Sequence, residues 1–160
     1  MSNPTGSPKI QRFILAILSL GSIHYTAPWP GLQATLNVFL VLGLAPGFES
    51  PLAGLCWAAA GGWVLEGTLR MYPHLGGMAL ANMMVCLLAY GLLLRWPPHS
   101  PKPYWGRQAA LVVIHTLLAH LCVRLAAGPH SWGTGWLWSL LLVPLWATLA
   151  LRLHPPIHRR

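Results

Sequence analysis

Aspartate is missing from all 160 residues, and glutamate occurs only twice, at Glu49 and Glu66. Without aspartate no Ser-His-Asp set can be built. Charged residues of both signs make up 8% of the chain, against roughly 25% in an ordinary soluble domain. So few charges cannot cover the surface of a water-soluble fold of this size. The same shortage excludes disorder, which needs high charge and low hydrophobicity. It also argues against a soluble nucleic-acid binder, despite a net charge of +8. The three cysteines, Cys56, Cys86 and Cys122, form no C-x-x-C pair and lie in apolar runs, which points to packing and not to redox or metal chemistry. No glycine loop opens a nucleotide site.

Hydrophobic residues make up 55% of the chain, punctuated by 16 Gly, 15 Pro and 9 Trp. That composition predicts an all-α polytopic membrane protein, a compact bundle of six transmembrane helices joined by short loops. The predicted spans are roughly 10–27, 31–47, 51–68, 76–94, 108–127 and 133–153, forming a single domain over residues 1–160. A full span needs about 20 apolar residues. The last three segments reach that length unaided, whereas the first three must draw on their flanks or sit in thinned bilayer. A five-span plan with one re-entrant segment therefore remains open. Lys9, Arg12 and the following apolar run resemble the start of a signal peptide. No small-residue cleavage site follows, so the run is read as the first span.

Charge sets the expected orientation. Lys9, Arg12, Arg95, Lys102, Arg107, Arg152, Arg159 and Arg160 fall at one set of ends, and only Arg70 and Arg124 at the other. The positive-inside rule then places both termini in the cytoplasm. On this reading the excess positive charge is an orientation signal and an attraction to anionic membrane lipids.

Among the residues that could carry chemistry, Glu66 stands out, because an ionisable group in a membrane helix faces a partner or a wet cavity. Arg70 lies four residues on, and Arg124 is expected at a similar depth. A Glu66–Arg124 or Glu66–Arg70 pair fixing helix packing is the simplest expectation, with ligand or proton handling as the alternative. His115 and His120 are five apart and share no ligand face; the remaining histidines fall near turns. No catalytic, metal or cofactor-binding set emerges. Packing is better specified. Gly54, Ala58 and Gly62 repeat every four residues, Gly76-Gly77 opens the fourth segment, and such ladders let helices approach closely in lipid. Asn37 and Asn82 are expected to bond across to neighbouring helices. Pro144 should bend the last segment. Trp132, Trp136 and Trp138, with Trp29 and Trp63, form an expected aromatic belt that could also receive another transmembrane helix.

The glycine-rich third segment, the acid at its end, the short turn and Pro73-His74-Leu75-Gly76-Gly77-Met78-Ala79-Leu80 resemble the bacterial rod shape-determining protein MreD family. Size, segment order and the basic 95–107 loop are also similar, although only residues 54–94 carry anything motif-like. The acid here is Glu where that family more often has Asp, and the fifth segment offers His120 and Arg124 where another acid would be sought. The resemblance implies a non-enzymatic membrane scaffold of the cell-elongation machinery that directs peptidoglycan synthesis. It also implies a single-pass partner similar to MreC and, through it, a cell-wall glycosyltransferase–transpeptidase pair and actin-like MreB filaments.

Two other resemblances are weaker. Glu66-x-x-x-Arg70 is similar to half the signature of intramembrane prenyl-peptide proteases, but the doubled glutamate and the later His-x-x-x-Asn are missing. Substrate-binding subunits of energy-coupling vitamin transporters have similar size and segment number. Their Ala-x-x-x-Ala coupling motif is absent here, since Leu20 follows Ala16 by four.

Overall fold

A computed structural model describes residues 8–45, 48, 50–70, 76–95, 101–127, 141, 142 and 145. Every extended element among them is helical, and no strand occurs among the described residues. The helices are α1 (Pro8–Tyr25), α2 (Pro30–Val38), α3 (Pro51–Leu69), α4 (Gly77–Arg95) and α5 (Pro101–Ala127). A π-helical segment, Phe39–Leu44, prolongs α2 without a break. Proline opens four of the five helices. It suits that position, where its missing N–H would have had no intrahelical acceptor and its φ is already helical. At the far end of α3 the chain turns out through Arg70, whose φ of 54° is left-handed and whose N–H bonds the Glu66 and Gly67 carbonyls. Gly76, with φ 105°, opens α4 from a conformation that favours glycine.

The six-span plan is not what the structure contains. Among the described residues two helices are long and apolar enough to cross a membrane, Gly77–Arg95 and Trp105–Leu125. The five-span variant falls with it. The sequence expectation lengthened the first three segments into their flanks; Pro8–Arg12 and Gly67–Leu69 do become helical, within α1 and α3, but they are too polar to make either helix an apolar span. α1 ends at Tyr25 in a turn closed by Trp29 N–H to the Thr26 carbonyl. It also spends its first turns on Lys9, Gln11 and Arg12. The nine residues of α2 and six of the π segment are too few for a span. α3 is long enough at 19 residues, but Gly, Ala, Trp and Glu66 dilute its hydropathy. The sixth segment, 133–153, lies outside the described residues apart from Leu141, Leu142 and Leu145.

The α2–π rod is the centre of the bundle, touching α1, α3, α4 and α5. Leu40, Val41, Leu42, Gly43 and Leu44 are all buried in it. One apolar cluster joins Ala16, Ile23, Leu40, Leu65 and Met78; a second joins Val41, Ala58, Val85, Cys86 and Leu111. The most extensive packing is that of α3 on α4, and glycine permits it. A Cβ at Gly62 would lie 2.5 Å from the Ala79 amide nitrogen and 2.7 Å from the Met78 carbonyl carbon. At Gly54 it would meet the Tyr90 hydroxyl at 2.7 Å. Gly91 has nothing within 4 Å of such an atom.

The contrast gives a direct test. Gly62→Ala should destabilise the bundle by about 1–3 kcal/mol, because the rigid α4 backbone has to move. Gly91→Ala should be neutral or stabilising by up to about 1 kcal/mol, through helix propensity alone. Thermal unfolding of the two variants side by side in one detergent measures the difference.

Candidate functional site

Glu66 sits in the last turn of α3 and is fully buried. Its Oε2 accepts the Gly76 amide at 2.7 Å, and its Oε1 accepts the Met78 amide at 2.5 Å. The acid therefore caps the N-terminus of the next helix across the 71–75 connection. Helix N-termini leave amides without intrahelical acceptors and carry partial positive charge, so they suit a carboxylate. Charge-assisted hydrogen bonds of this kind contribute roughly 1.5–3 kcal/mol each. The expected Glu66–Arg pair does not form. Arg70 and Arg124 are exposed, and backbone amides take both carboxylate oxygens. Gly77 adds a contact from the other side, its carbonyl accepting from the Cys122 thiol at 3.4 Å, which ties α5 to the same corner.

Deeper in the bundle Asn37 of α2, Asn82 of α4 and His115 of α5 meet. Asn37 Nδ2 donates to Asn82 Oδ1 at 3.2 Å, and Asn82 Nδ2 donates to Asn37 Oδ1 at 3.0 Å. Asn82 Nδ2 also donates to the Ala58 carbonyl of α3 at 3.0 Å. His115 Nε2 lies 2.9 Å from Asn82 Oδ1. Since that oxygen only accepts, the contact requires the tautomer protonated at Nε2. All three side chains are at most 2% exposed, so four helices share one dry polar knot. Two further ties flank it. Gln33 Nε2 donates to the Ile23 carbonyl at 3.0 Å and to Thr68 Oγ1 at 2.5 Å, linking α2 to α1 and α3. The Tyr90 hydroxyl lies 3.0 Å and 3.2 Å from the Ala45 and Phe48 carbonyls, where α4 meets the end of the π segment.

The structure thus brings Glu66 and Gly76 into one cap, and Gly54 and Gly62 into the α3–α4 seam above and below Asn82. Arg70 and Arg124 stand apart from them at the surface. Trp132 and Trp136 lie outside the described residues. Sequence reading weighed His115 only as a metal ligand with His120, and did not anticipate that it or Gln33 would tie helices together. The signal for His115 was its position, seven residues after Gln108 on the α5 face that also buries Leu111, Val112 and Ala119. Among the described residues no group of three His, Cys, Asp or Glu could hold a metal ion. Chemically, the cap and the knot do one thing well: they fix the helices relative to one another.

Two double-mutant cycles separate this arrangement from the paired-charge alternative. Glu66→Ala with Arg124→Ala should be additive within about 0.5 kcal/mol, as for residues that share no partner. Asn37→Ala with Asn82→Ala should couple by about 0.6–1.7 kcal/mol, the range for interhelical hydrogen bonds in lipid. Denaturation in mixed micelles gives both values. Comparison with known protein families, with curated proteins and with solved structures finds no match for this chain.

Proposed function

We propose that the chain is a non-enzymatic scaffold of the bacterial cell-elongation machinery, resident in the cytoplasmic membrane and working by docking other transmembrane helices. The observation that carries this reading is the use made of Glu66. In the MreD-like stretch 54–94, an acid ends one helix and a short turn leads to a glycine-opened helix. The cap gives each part of that pattern a structural task, and it leaves the acid committed to holding two helices together. The outer faces supply the docking surfaces. Phe13, Ile14 and Leu18 on α1, Leu80, Met84 and Leu87 on α4, and Leu117 and Leu121 on α5 are all exposed. Only 39% of each long apolar helix is buried inside the bundle, which is unlike the core helix of a soluble protein. Trp29 and Trp63 are also exposed, as interfacial anchors are.

The partner of first choice is a single-pass membrane protein similar to MreC. A cell-wall glycosyltransferase–transpeptidase pair and actin-like MreB filaments are reached through it. Arg95, Lys102 and Arg107 put the α4–α5 connection on the cytoplasmic side, and both termini are assigned to that side by their own cations.

Affinity purification of the full chain from mild detergent should recover a single-pass protein with a large extracytoplasmic domain, and depletion of the chain should round rod-shaped cells. Recovery of an ATPase module in its place would favour the transporter class. Reporter fusions at residue 1, residue 98 and residue 160 should all report cytoplasmic; an external signal at 98 would reverse the orientation.

A further inference from the structure

We draw no further inference here: the strongest candidate, the outward apolar face of α4 with Leu80, Met84, Leu87 and Leu94 exposed along it, belongs to the docking surfaces already described, and nothing in the structure shows what covers it.

Discussion

A carboxylate buried without a cation has to find donors, and Glu66 finds them in the first amides of the helix that follows its own. The rest of the bundle depends on that bond pair. It draws the last turn of α3 against the first turn of α4 so closely that only glycine fits at position 62, opposite the Ala79 backbone. Once the two helices are antiparallel at that spacing, Asn82 lies beside the Ala58 carbonyl and Tyr90 beside Gly54. Asn82 then offers its remaining oxygen and hydrogen to Asn37 and His115, which fixes the central rod and α5. The sequence of dependence runs from one acid to four helices.

Beside its apolar clusters the bundle buries Gln33, Asn37, Glu66, Asn82 and His115, while Leu87, Leu94, Leu117 and Leu125 are more than half exposed. In water that outer apolar surface would remain hydrated. In lipid, burying leucine gains little, and helices associate through close backbone packing and interhelical hydrogen bonds. The interior supplies those two things: glycine at the seam, and the amide, imidazole and carboxylate groups of Asn37, Asn82, His115 and Glu66, which bond one another or backbone. The buried polar groups thus argue for the same environment as the exposed apolar ones.

Some of this could be read from the residues alone. The Gly54–Ala58–Gly62 spacing announces a close seam because helix geometry places residues four apart on one face. Asn37 and Asn82 announce themselves because an amide in an apolar run needs a partner. The partner of Glu66 could not be read by counting charges, since backbone amides appear in no such count; arginines four residues on and one helix away drew the eye instead. The glycines at 76 and 77, ten and eleven residues after the acid, were the available clue to an exposed helix start. The number of spans was the least legible feature. The ends of α1 and α3 fall within two residues of the segments read from the sequence, but Lys9, Gln11 and Arg12 in α1 and Glu66 in α3 lower the hydropathy that separates a span from an apolar helix.

A bundle built this way is specified by few residues. Gly62 has to be small, Glu66 has to accept, and Asn37, Asn82 and His115 have to complete one another. Most outward positions on α1, α4 and α5 need only be apolar, because any aliphatic side chain suits a hydrocarbon surface. Resemblance to another protein of the same design would therefore gather at the seam and the cap and thin out elsewhere. In this chain the seam and the cap both lie within 54–94. Because the polar groups of the cap and the knot are spent on one another or on backbone, those outward positions can change without disturbing what holds the fold.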